Sequence, residues 1–279
     1  KSVEYFHDHP FQLIDDTHMN LDLRGKRALV SGSTQGIGKA CAIELALLGA
    51  NVTLVARNEE SLQKVKAELS VVFGQQHDFL VADFSAPDML NKKVMEYAAT
   101  KPVHILVNNT GGPPSGPITD AAPEAFLQAF NNHLICNQLL AQAVLPGMKK
   151  AGFGRIINII STSVKQPLKN LGVSNTIRAA VANWSKTWSL EVAPYGITVN
   201  NVLPGATNTI RLQTLMETKA QKTSVKTEAV SHEMLEEIPM KRFAEASEIA
   251  SAVAFLASPA AGYITGINLP VDGGRTGCL

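Results

Sequence analysis

The sequence predicts an α/β fold, a doubly wound parallel sheet covered by helices on both faces and built as a single domain. Three observations predict it. Short, continuous apolar runs alternate with longer helical patterns, and an uninterrupted apolar run is what a strand buried on both faces requires. The first run, Ala28-Leu29-Val30, enters a glycine-rich turn, and a helical pattern leaves that turn and stops at Gly49. No linker, internal repeat or low-complexity segment divides the chain, and 279 residues with 45% apolar content suffice for one large core.

Residues 1–20 are polar and aperiodic and read as a mobile N-terminal arm, or as residues foreign to the domain. Its His7, Asp8, His9 and His18 are taken as solvated side chains rather than metal ligands, and no metal site is expected. The domain spans 21–279, with Leu21 to Lys26 as a polar lead-in. The second strand is Asn51 to Ala56, and Glu60 to Leu69 is a helix. Asp78 to Ala82 is a third strand, Pro87 to Ala99 a helix, and His104 to Val107 a fourth strand. Ala122 to Lys150 holds one or two helices before a fifth strand, Arg155 to Ile160. Asn175 to Val192 is a long helix, Ile197 to Val202 a strand, and Ile267 to Val271 the last strand. Between them, residues 206–239 form a long polar segment with helical patterns in Arg211 to Lys222 and Thr227 to Glu237.

The totals exclude several classes. A net charge of +1 points to no nucleic-acid or acidic-membrane partner. No apolar run approaches a membrane span, and no signal-peptide pattern stands at the start. Cys41, Cys136 and Cys278 are scattered and lack CxxC spacing, so reduced thiols and a cytoplasmic location are expected. Cys41 and Cys136 are expected to pack as small apolar residues.

The turn Gly32-Ser33-Thr34-Gln35-Gly36-Ile37-Gly38 lets the backbone approach a ligand with no Cβ in the way. The helix start that follows offers free N–H groups and a partial positive charge to a phosphate. The end of the second strand reads the ribose of a dinucleotide. An acid there would repel a 2′-phosphate, but the chain has Ala56 followed by Arg57, a fixed cation, which favours NADP over NAD.

The glycine spacing is wider than GxGxxG. It resembles the TGxxxGxG turn of the short-chain dehydrogenase/reductase family, with Ser31 where that family usually has Thr. Further stretches carry the resemblance over about Leu21 to Gly274. Asp83-Phe84 resembles the pair beside the adenine, and Asn108-Asn109-Thr110-Gly111 resembles the NNAG turn. Pro204-Gly205 with Thr207 and Thr209 resembles the PGxxxT segment along the nicotinamide. The resemblance implies a Rossmann fold, NADP(H) as cofactor, and interconversion of a carbonyl and an alcohol. The 3-oxoacyl-carrier-protein reductase branch is the most similar. It also implies a small-molecule partner, extending to acyl thioesters, a substrate-covering lid at about 206–239, and a homodimer or homotetramer through the helices of Ala129 to Met148 and Asn175 to Val192. Ala179, Ala180, Ala182, Trp184 and Trp188 on the second helix are apolar on more than one face.

The catalytic pattern departs from the family. Ser161 fits the carbonyl-binding serine, but Ser174 falls where the family has its proton-giving Tyr and Arg178 where it has Lys. The family's structural Asn falls on His133, one residue from Asn132. A Ser hydroxyl is a poor acid near neutrality and Arg stays protonated, so neither is a plausible proton shuttle. Arg178 can hold the ribose and stabilise charge on oxygen. Lys165, His133 and a bound water remain as proton donors. A non-catalytic dinucleotide-binding protein is the alternative reading.

Overall fold

A computed structural model describes residues 19–278. Residues 1–18, with His7, Asp8, His9 and His18, lie outside the described residues. Seven strands form one parallel sheet in the order β3-β2-β1-β4-β5-β6-β7. They are β1 Arg27–Ser31, β2 Asn51–Ala56, β3 Asp78–Val81, β4 Ile105–Asn108, β5 Gly154–Ile159, β6 Ile197–Pro204 and β7 Asn268–Val271. Every predicted strand is present, with ends shifted by a residue or two.

The continuous apolar runs serve two cores at once. In β1, Ala28 and Val30 point to one face and Leu29 to the other. The first core packs under α1 (Gly36–Leu47), α2 (Glu59–Glu68) and α9 (Ala246–Ala257). The second packs under α3 (Pro87–Thr100), α5 (Cys136–Ala151) and the end of α6 (Gly172–Val192). The helix α9, which the sequence reading did not pick out, buries Ile249, Val253 and Leu256 against the sheet beside α1. Cys41 and Cys136 are buried in these two cores as expected, and burial pushes both thiols up to about 12.

The stretch read as one or two helices is two. α4 (Pro123–Phe130) joins α5 through a π-helical turn, Asn131–Ile135, that carries His133. The segment after β6 forms α7 (Ile210–Thr223) and α8 (Thr227–Glu236). Leu212, Ala220 and Val230 are buried in this helical pair. Ile238 and Met240 beyond it lie against Gly273 near the end of the chain.

The strand order reverses between β1 and β4. Chain segments leaving their carboxyl ends diverge there and open a crevice, the usual ligand position in such sheets. Level with the end of β4 runs a ladder of asparagines in register across the sheet. Asn108 donates to Asn158 (2.8 Å), Asn158 to Asn201 (2.9 Å) and Asn201 to Asn268 (2.8 Å), tying β4, β5, β6 and β7 together. No helix among the described residues is long and apolar enough to cross a membrane. None of their His, Cys, Asp and Glu side chains cluster as a metal site would require.

Candidate active site

The glycine turn follows β1 directly. Gly32 (φ +59°) and Gly36 (φ +55°) are left-handed, and a Cβ on Gly38 would sit 2.2 Å from the Gly32 carbonyl oxygen. That close approach lets α1 start flush against the turn. Asn109, just past β4, clamps the turn from the far side by donating to the carbonyls of Ser31 and Gly32, both at 3.3 Å. The start of α1 has no side-chain cap and no acidic residue in its first turn. Its free N–H groups and dipole therefore suit a diphosphate. Thr209 approaches from the other bank, its methyl 3.4 Å from where a Gly36 Cβ would lie.

At the ends of β2 and β3, Arg57 lines a pocket of about 260 Å³ with Val81, Ala82, Asp83, Ala86, Met89, Leu90 and Lys93. Asp83 accepts from the Ser85 N–H, which together with Arg57 holds its carboxyl below the usual range. Phe84 turns instead into the core, and its carbonyl accepts from Cys136. Apolar Val81, Ala82, Met89 and Leu90 beside two cations, Arg57 and Lys93, fit an adenine and a 2′-phosphate.

The ends of β4 and β5 hold the groups predicted for chemistry. Ser161 follows β5, its Oγ accepting from the Ser163 N–H at 3.1 Å. Arg178, on α6, is buried. It donates from Nη1 to the Ile159 carbonyl at 3.0 Å and from Nη2 to the Thr110 carbonyl at 3.5 Å, so it bridges the two strand ends. Burial, and then the charge of Arg211, lower its pKa to about 10, so it remains a cation at neutrality. Ser174 lies in the first turn of the same helix, one turn before Arg178. Lys165 caps the short turn after Ser161 and is half-buried. The end of the chain folds over this turn, where Gly277 N–H donates to the Gln166 side chain.

His133 departs from the expectation of a proton donor. Its Nδ1 lies 2.5 Å from Thr110 Oγ1, and the ring is buried. Desolvation, and then the charge of Arg178, lower its pKa to about 2. A ring that refuses its second proton positions Thr110 and is no acid at neutral pH.

Beyond the turn clamped by Asn109, Gly111 has open space around its Cα. On the far side, Gly205 packs so closely on Asp272 that a Cβ would sit 2.7 Å from its Cα. Thr207 donates to the Gly205 carbonyl, and Thr209 caps α7. Arg211, in the first turn of α7, was missed by the sequence reading. It reaches across to the Pro113 carbonyl at 2.7 Å and spans the crevice. As an arginine on a polar helix it gave no signal in the sequence beyond its two-residue distance from Thr209.

Known proteins share this fold. A family model described as enoyl-(acyl carrier protein) reductase matches residues 32–276. The 3-oxoacyl-[acyl-carrier-protein] reductase FabG of Haemophilus influenzae is 37% identical over 254 residues, 90% of this chain and 98% of its own. The chain belongs to the short-chain dehydrogenase/reductase family. The NADPH-dependent reductase BacG of Bacillus subtilis is 30% identical over 251 residues, 89% of this chain and 97% of its own. Among solved structures, L-sorbose reductase from Gluconobacter frateurii, complexed with NADPH and L-sorbose, superposes with a TM-score of 0.86. It is 31% identical and covers 94% of this chain and 100% of its own. As a short-chain dehydrogenase/reductase, the protein is an oxidoreductase.

Proposed function

We propose that this protein is an NADP(H)-dependent reductase that interconverts a carbonyl and an alcohol with a non-standard proton donor. The observation that carries the cofactor reading is Arg57 in a pocket with Lys93 and no acid at position 56, beside an uncapped glycine turn. Gly32 to Gly38 would hold the diphosphate, Arg57 and Asp83 the adenosine end, and Asn109, Thr110, Gly111, Pro204, Gly205, Thr207, Thr209 and Arg178 the nicotinamide end. When bound, the dinucleotide supplies or accepts the hydride. Ser161 donates to the carbonyl oxygen, and Arg178 stabilises the negative charge that grows there. Lys165 delivers the proton. The segment 206–239, with the helical pair α7 and α8, acts as a lid over the site that excludes water.

The 3-oxoacyl-carrier-protein reductases among the relatives make 3-oxoacyl compounds the first substrates to try. Unpaired Cys41, Cys136 and Cys278 support a reducing, cytoplasmic setting. The paired replacement at Ser174 and Arg178 also favours a second reading, a dinucleotide-binding protein without turnover.

One experiment separates the two. NADPH and NADH binding are measured by calorimetry, and NADPH oxidation over a carbonyl panel is followed on the same sample. A charged contact to the 2′-phosphate should favour NADPH by roughly ten- to hundredfold. Arg57→Ala should erase the preference, and equal affinities unaffected by that change would refute the cofactor reading. Tight NADPH binding without oxidation of any carbonyl supports the non-catalytic protein.

A further inference from the structure

The reductase reading accounts for Arg178, which replaces one cation of the family with another. It leaves Arg211 unexplained. The two guanidinium groups flank one glycine, and a Cβ on Gly112 would lie 3.4 Å from Arg211 Nη2 and 3.9 Å from Arg178 Nη2. Arg178 is only 8% exposed. Each donates to backbone carbonyls alone, Arg178 to those of Ile159 and Thr110 and Arg211 to that of Pro113. Among the described residues neither pairs with a carboxylate, whereas Arg24, Arg242 and Arg275 each do.

Arg178 is buried and Arg211 exposed; their like charges repel one another across the gap, and an anion between them relieves that repulsion. A guanidinium has five N–H donors in a planar fork that matches a carboxylate, and most of these ten remain unspent on the carbonyls named. The gap lies off the ends of β4 and β5, lateral to the glycine turn after β1 that suits the cofactor's diphosphate.

We propose that the gap beside Gly112 binds the carboxylate of the substrate, so that the reductase acts on free oxo acids and hydroxy acids rather than on their neutral esters or thioesters. The inference rests on the reductase reading. In a 3-oxo acid the carboxylate and the reacting oxygen stand close enough for Arg178 to face the oxygen while Arg211 takes the carboxylate. The absence of a side chain at Gly112 leaves the space between them clear.

The test uses the full chain saturated with NADP⁺ and three probes: acetoacetate, its methyl ester and its N-acetylcysteamine thioester. Calorimetry should show acetoacetate binding roughly ten- to hundredfold more tightly than either neutral compound. Arg211→Gln should remove most of that preference while leaving NADPH affinity and the binding of the ester unchanged. Arg211→Lys should keep part of it, because the charge remains without the fork. Equal or tighter binding of the thioester overturns the inference and leaves the reductase reading standing. So does a failure of acetoacetate to bind. A loss of NADPH affinity in Arg211→Gln matching its loss of acetoacetate overturns it in another way, by assigning the arginine to the cofactor's diphosphate. Failure of wild-type protein to bind NADPH at all instead refutes the reading on which the inference stands.

Discussion

His133 illustrates what burial does to a titratable side chain. Its pKa falls to about 2 because desolvation and the Arg178 charge both oppose the imidazolium. At pH 7 the folded ring is neutral and the unfolded ring mostly so, and its effect on stability there is small. Below about pH 6.5 the unfolded chain takes up a proton that the folded ring refuses, and stability falls as pH falls, by up to about 1.4 kcal/mol per pH unit. His133→Asn should flatten the urea-derived stability between pH 6.5 and 5, leaving a residual slope from His104, whose pKa burial also lowers. An unchanged slope would mean that the ring is hydrated. The same argument removes His133 as the acid and leaves Lys165 and a bound water, which the next variants distinguish. Ser174→Ala should cost about one hydrogen bond, severalfold in turnover. Lys165→Met should cost ~10²–10⁴-fold with NADPH affinity little changed. Full loss in Ser174→Ala with an active Lys165→Met would reverse these roles.

Among the elements, the asparagine ladder is the part that sequence could not reveal. Asn158 is fully buried between β4 and β6, donating to Asn201 and Ser185 and accepting from Asn108. Asn158→Leu would strand buried donors and acceptors on both neighbouring strands at ~1–3 kcal/mol each. A fall of about 2–5 kcal/mol in unfolding free energy is expected, with the denaturant m-value unchanged. A change below 0.5 kcal/mol would show that water replaces the amide. Most strands were legible because they carry a short, mainly apolar run, and the glycine turn because Gly32, Gly36 and Gly38 stand between a strand and a helix. The ladder was not, since it needs the register of strands distant in sequence. The helix α9 escaped notice because Ala and Ser spread over its faces blur the periodicity of Ile249, Val253 and Leu256. Arg211 escaped because its meaning lies in a contact with Gly112 across the crevice.

At the scale of the whole molecule, the sequence argument for assembly needs one revision. Trp184 and Trp188 were expected to demand a partner, yet they pack on each other with ring centroids 5.8 Å apart. Both indole N–H groups donate to the Gln138 side chain on α5, at 2.7 and 2.9 Å. What stays uncovered is a different set, Leu190 on α6, at 68% exposed, and Leu127 and Phe130 on α4, at 64% and 38%. Ala179 is exposed on the same helix as Leu190. A large apolar side chain left in water on a helix, as Leu190 is, is an expected part of an isologous interface, in which each contact occurs twice. The protein should therefore run as a homodimer or homotetramer in light scattering at micromolar concentration. Leu190→Glu places two charges into a symmetric contact at one stroke, so it should lower the mass to that of a smaller species while the circular dichroism of the fold persists. A wild-type mass equal to that of one chain would rule out this face as an interface.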